Sequence, residues 1–125
     1  MKANELRPEN VINYQFYKTL KQGFVTTVSP PVVVIDHSFK MKEENLIGVP
    51  LTEEWLLKFG FELRDGKYYK GKYLIEDGIS QYFNNGYSFR ITIDNQNSTH
   101  ASSVKYVHQL QNLYFALTGQ ELELK

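Results

Sequence analysis

The chain contains no cysteine, which excludes thiol catalysis, disulfide cross-links and thiolate metal sites together and suits a reducing compartment. It also lacks any apolar run near the ~20 residues that a membrane span requires; Val32–Ile35 is a run of four. The opening "MKANELRPEN" has no apolar stretch after its lysine, so a secretory signal is not expected. A soluble, cytoplasmic protein without a membrane partner is the expectation. Charge of one sign is missing as well. Fourteen basic and fourteen acidic residues cancel, so no global field draws the chain to nucleic acid or lipid, and any electrostatic function is local.

Glycine and proline are scarce, with eight and four copies in 125 residues, so the turn signals stand out. The length predicts a single domain, residues 1–125, in two lobes: an N-terminal β-lobe over about 1–48, and a meander with helices over about 49–125. "RDG" at 64–66, "EDG" at 76–78 and "NNG" at 84–86 each place Asp-Gly or Asn-Gly between strand-like runs, a strong hairpin signal. Three-residue loops closed by a left-handed glycine would pair Leu63 with Lys67, Ile75 with Ile79 and Phe83 with Tyr87. Phe61, Leu63, Tyr69, Tyr73, Ile75, Ile79, Phe83, Tyr87, Phe89, Ile91 and Ile93 would then share one face. The predicted fold class is α+β, with a four-stranded antiparallel meander at about 61–94, in strands near 61–64, 67–76, 79–84 and 87–94.

Two helices flank the meander. "PLTEEWLLKFG" predicts a short helix over 53–59, with Thr52 as N-cap, Glu53 and Glu54 favouring the dipole, Gly60 ending it and Trp55 as its main core contributor. The C-terminal helix, about 104–118, starts from Ser102 or Ser103 and stops at Gly119. Its stripe of Tyr106, Val107, Leu110, Leu113, Tyr114 and Leu117 is expected to cover the meander, and "STHASS" to be a polar connection leading into it. In the N-terminal lobe "NVINYQFY", "GFVTTV" and "VVVID" read as three strands, with a small barrel as one arrangement. Pro30 and Pro31 predict an extended connection before the third. Val32–Ile35 shows no alternation, which leaves it either buried on both faces or not a strand.

The C-terminal helix carries a second face of unusual composition. Val104, His108, Gln111 and Phe115 recur at helical spacing with Asn112 beside them. These five are candidates for contact with a protein partner or a second copy; the alternative is that the face is buried and its polar groups satisfy loop backbone. On the second face of the meander, Tyr68, Lys70, Lys72, Tyr82 and Arg90 place cations among flat rings, a composition suited to single-stranded nucleic acid. Catalytic patterns are lacking. Asp36, His37 and Ser38 hold triad residue types, but as consecutive strand residues they would point to opposite faces. His100, His108 and Asp94 have no matched metal-ligand spacing. No cofactor and no metal are expected.

The segments "NELR", "PLTEEWLLKFGF" at 50–61 and "KYVHQLQNLYFALTGQEL" at 105–122 resemble a family of small uncharacterised proteins of Bacteroides-type bacteria and their phages and mobile elements. Members often read "ELRxGNxV" near the start, suggestive of a small-barrel strand; here Pro8-Glu9-Asn10 replaces the glycine turn. The resemblance implies a phage or mobile-element setting and no activity. The expected function is a non-enzymatic accessory role through protein–protein contact or self-association, with single-stranded nucleic-acid binding as the alternative.

Overall fold

In the computed structural model of the protein, residues 1–77, 87–93 and 97–124 are described. The architecture is α+β, with two antiparallel five-stranded sheets and a C-terminal helix. The chain forms two compact units: Met1–Pro50 with Tyr106–Glu121, and Leu51–Lys105 with Leu122–Lys125.

The first unit contains β1 (Val11–Phe16), β2 (Thr19–Ser29), β3 (Val32–Ile35), β4 (Phe39–Lys42) and β5 (Leu46–Ile47), in the order β4-β3-β2-β1-β5. The three expected strands are present; "FKMK" and "LI" add two more, too short to be read as strands from their pattern. Tight turns set the register. Phe16 pairs with Thr19 and Ser29 with Val32, so Pro30 and Pro31 form the β2–β3 turn itself and not an extended connection. Val33 and Ile35 are buried while Val32 and Val34 are half-buried, which restores the alternation hidden by four similar side chains. The sheet curls into a half-barrel. Phe39 of β4 reaches the rings of Tyr14 (5.9 Å) and Phe16 (5.8 Å) on β1, although two strands separate β4 from β1 in the order. Ile12, Tyr14, Val25, Val33, Ile35, Met41 and Leu46 fill the inner face, joined by Ala3 and Leu6 from the N-terminal arm.

The C-terminal helix, α2 (Val107–Thr118), belongs to this unit and packs on β1; the expected meander contact is not its assignment. It starts at Tyr106, not near 104, because Asn97–Val104 is a strand. The serines expected to cap the helix and the "STHASS" connection both fall in that strand. Gly48 lets β5 approach the helix start: a Cβ there would lie 2.7 Å from the Tyr106 ring.

The second unit opens with α1 (Glu53–Lys58), whose N-cap is Thr52. Gly60, at φ 88°, donates to Leu57 O, and Phe61 N donates to Leu56 O, a Schellman ending that a glycine in this position makes favourable. Leu56 and Phe59 are fully buried, whereas Trp55 is only half-buried, its ring 5.9 Å from Phe59 and beneath Lys58. The expectation that Trp55 dominates this core is therefore corrected in favour of Phe59 and Leu56. The strands β6 (Glu62–Arg64), β7 (Lys67–Lys70), β8 (Tyr73–Asp77), β9 (Tyr87–Ile93) and β10 (Asn97–Val104) form a consecutive meander. Its first turn departs from the expected three-residue loop. Arg64 pairs with Lys67, leaving Asp65 and Gly66, both at positive φ, as a two-residue turn. Gly71 and Lys72 make a second such turn, with Lys70 opposite Tyr73, so the strand expected over 67–76 is a hairpin. The strand expected over 79–84, with Tyr82, lies outside the described residues.

The turn at Gly71-Lys72 shifts parity by one on β7, and the two-residue first turn shifts it back on β6. Tyr68, Ile75 and Phe89 align across β7, β8 and β9 and are buried, while Leu63, their partner on β6, is exposed. Tyr73 is also buried and Ile91 half-buried, as the odd-face reading requires; Tyr69, expected inward, aligns instead with Leu74 and Arg90.

Candidate interaction surface

The second face of α2 has a structural task. β5 pairs with β1 only at Asn13 and Tyr14, so the N-terminal end of β1 has no strand neighbour on that side. Gln111, buried on α2, takes the vacant place. Its Oε1 accepts from Val11 N at 2.8 Å and its Nε2 donates to Glu9 O at 3.0 Å. Asn112 continues the pattern: Nδ2 donates to Glu5 O at 3.0 Å, and Oδ1 accepts from Asn10 Nδ2 (2.8 Å) and Arg7 Nε (3.0 Å). Arg7 closes the clasp, its Nη1 and Nη2 donating to the two carboxylate oxygens of Glu121 at 2.7 and 3.2 Å while its guanidinium lies 4.1 Å over the Phe115 ring. A planar five-donor fork can serve a carboxylate, an amide and an aromatic face at once; an ammonium cannot.

Of the five residues considered for partner contact, Gln111 and Asn112 hold the N-terminal arm, and Phe115 sits under Arg7 with partial exposure. Val104 is buried at the end of β10 in the second unit. His108 is 2 % exposed, stacked on Tyr106 at 5.8 Å, with Nδ1 lacking a hydrogen-bond partner among the described residues. Burial pushes its pKa below the usual histidine value, and the Glu5 carboxylate opposes that shift. The continuous adhesive strip is therefore replaced by a polar seam inside the first unit.

The proposed nucleic-acid platform is dispersed too. Tyr68 is buried on the face of Ile75, and Lys70, on the same face, donates through Nζ to Phe59 O at 3.1 Å. Arg90 lies on the opposite face near Glu76, which Lys67 also approaches at 3.4 Å. Lys72 occupies the turn, over the Tyr73 ring. Asp36, His37 and Ser38 are a turn and not strand residues; Asp36 Oδ1 accepts from Phe24 N at 2.9 Å, which ties the carboxylate to backbone. Among the described residues, no group of three or more His, Asp and Glu is arranged to hold a metal ion.

What remains exposed is the outer face of the half-barrel. Cross-strand pairs share a face, so the register places Phe24 beside Val11, Gln22 beside Asn13, Leu20 beside Gln15, and Ile47 beside Asn13. Leu20, Phe24 and Ile47 are 53 %, 44 % and 45 % exposed, and the amides of Asn13, Gln15 and Gln22 lie between them. Val11 is buried, and none of the other six, Asn13, Gln15, Leu20, Gln22, Phe24 and Ile47, is charged. Sequence reading missed this surface because β5 was not recognised; the alternation Leu20, Gln22, Phe24 was the available signal.

A scan of protein-family models finds none that matches the chain, and comparisons with curated proteins and with solved structures give no match either.

Proposed function

We propose that the protein is a non-enzymatic binding protein that acts by self-association through the outer face of its half-barrel. The supporting observation is a patch of that face on β1, β2 and β5 where exposed apolar side chains and amides lie together with no charge among them, in a chain whose residues are 22 % charged and whose Lys40 and Lys42 stand on the same outer face at β4. Such a patch can be apposed to its own copy about a twofold axis without like-charge repulsion, and amides donate and accept across the seam. The resemblance of residues 50–61 and 105–122 to small proteins of phages and mobile elements supports an accessory role in that setting.

Sedimentation equilibrium of the full chain is the test. A concentration-dependent dimer is expected, and Leu20→Lys with Phe24→Lys should disperse it to monomer with an unchanged far-ultraviolet circular dichroism spectrum. A strict monomer at about 100 μM, or a dimer indifferent to both lysines, would refute the proposal.

A further inference from the structure

The β1–β2 turn holds a residue that its backbone does not favour. Tyr17 and Lys18 form the two-residue loop between Phe16 and Thr19, and Tyr17 adopts φ 57°, a conformation suited to Gly, Asn or Asp. For a bulky side chain this is strain, and Tyr17 recovers little of it by burial, being 87 % exposed. Strained and exposed aromatic residues are informative because local packing does not account for them.

The ring is the outer end of a row. Tyr17 meets Phe16 edge-on at 4.7 Å, Phe16 meets Phe39 at 5.8 Å, and Phe39 meets the buried Tyr14 at 5.9 Å. The row thus runs from core to solvent, anchored at its inner end, with Phe16 and Phe39 half-buried along it. Gln15 Nε2 donates to Tyr17 O at 3.1 Å and holds the turn. Lys21 Nζ lies 5.2 Å over the Phe16 ring, and Lys18 is exposed next to Tyr17. No carboxylate occurs in the sequence between Glu9 and Asp36, and Asp36 is bonded to the Phe24 amide. The hairpin itself, residues 11–29, therefore carries two cations and no carboxylate in a chain of zero net charge.

We propose that this turn is a stacking site for single-stranded nucleic acid, with Tyr17, backed by Phe16, presenting its ring to a base and Lys18 and Lys21 neutralising the flanking phosphates. Aromatic faces accept any unstacked base, and cations beside them supply the salt-dependent part of the affinity. A duplex keeps its bases stacked on one another and denies the rings their partner. This inference is independent of self-association, which uses the outer sheet face.

The test is fluorescence anisotropy of the full chain with a labelled fifteen-nucleotide oligothymidine and with a duplex of equal length. Binding of the single strand is expected at micromolar protein in low salt, weaker for the duplex. The logarithm of affinity should fall against the logarithm of salt with a slope of about −1.4, roughly −0.7 for each of two phosphates. Tyr17→Gly removes the ring yet suits the positive φ, so it should weaken binding roughly five- to 150-fold without lowering the melting temperature. Lys18→Gln with Lys21→Gln should flatten the salt slope. Absence of salt-dependent single-strand binding, equal binding of the duplex, or affinity unaltered by Tyr17→Gly would each overturn the proposal.

Discussion

Replacing Gln111 by leucine tests the seam between α2 and the N-terminal arm most directly. Leucine is close in volume and keeps the helix, so the change is confined to two hydrogen bonds, from Val11 N at 2.8 Å and to Glu9 O at 3.0 Å. Gln111 is 3 % exposed, so water does not readily replace it. A buried backbone group left without a partner costs about 1–3 kcal/mol. Two such groups cost about 2–6 kcal/mol, and roughly 1 kcal/mol returned by the more apolar side chain leaves a net loss of about 1–5 kcal/mol, toward the lower end because the bond to Glu9 O is only part-buried. Set against a total stability of about 5–15 kcal/mol, that is a large fraction. Urea unfolding followed by far-ultraviolet circular dichroism should show a midpoint lower by roughly 0.5–2.5 M at a slope of about 2 kcal/mol per M. Trp55 fluorescence is the wrong probe, since the tryptophan lies in the second unit. If this face of α2 were a solvated adhesive strip, the same substitution would be neutral in urea and would strengthen self-association. A midpoint within about 0.3 M of the parent would therefore refute the assignment of Gln111 to the arm.

Three further outcomes follow from the same geometry. Arg7→Lys keeps the charge but loses the fork to Glu121 and the flat contact on Phe115, and should cost about 1–2 kcal/mol in urea unfolding. Glu9 is exposed at φ 80°, where an L-residue is strained by roughly 1–2 kcal/mol; Glu9→Gly should gain up to about 1 kcal/mol after the added freedom of the unfolded chain is subtracted, visible as a raised urea midpoint. Burial holds the folded-state pKa of His108 below the ordinary histidine value of about 6.5, so around and below that pH the unfolded state binds more protons than the native one. Its contribution is to lower stability as pH falls through about 6.5, until the buried ring itself is protonated. The fall should be smaller in His108→Gln, and an identical pH dependence in parent and variant would remove His108 from the account.

Helix capping and strand location were legible where one residue type has one physical use. Thr52 occupies the N-cap position of α1 without a side-chain capping bond, Gly60 ends that helix at positive φ, and Gly119 ends α2 at φ 73°. Loop length was less legible, because Asp-Gly serves both a two-residue turn and a three-residue loop. At Asp65-Gly66 the difference is one residue and sets Leu63 opposite Tyr68, while the unread turn at Gly71-Lys72 exchanges Tyr69 for Tyr68 in the core row. β10 was hidden by composition: "NSTHASS" has no apolar alternation, and its position comes from pairing with β9. β5, two residues long, carries no period at all. With β5 unread, nothing in the sequence indicated that β1 would lack a neighbour at Val11, and the purpose of Gln111 was hidden with it.

That missing neighbour explains why the second face of α2 bears amides and not charges. The exposed edge of a strand presents alternating N–H and C=O groups, and a side-chain amide presents one donor and one acceptor in similar geometry. Glutamine can therefore stand in for a strand residue, accepting from Val11 and donating to Glu9 as a paired strand would. Glutamate could accept from Val11 N but would set its second oxygen against Glu9 O, adding repulsion to the cost of a buried charge. The same reasoning gives the arm its order: Asn112 bonds the chain at Glu5 and Asn10, Gln111 at Glu9 and Val11, and Arg7 spans the helix surface between them and Glu121. The second face of α2 is thus a polar face that completes a sheet, so the proposed contacts fall instead on the outer surface of β1, β2 and β5 and on the Tyr17 turn.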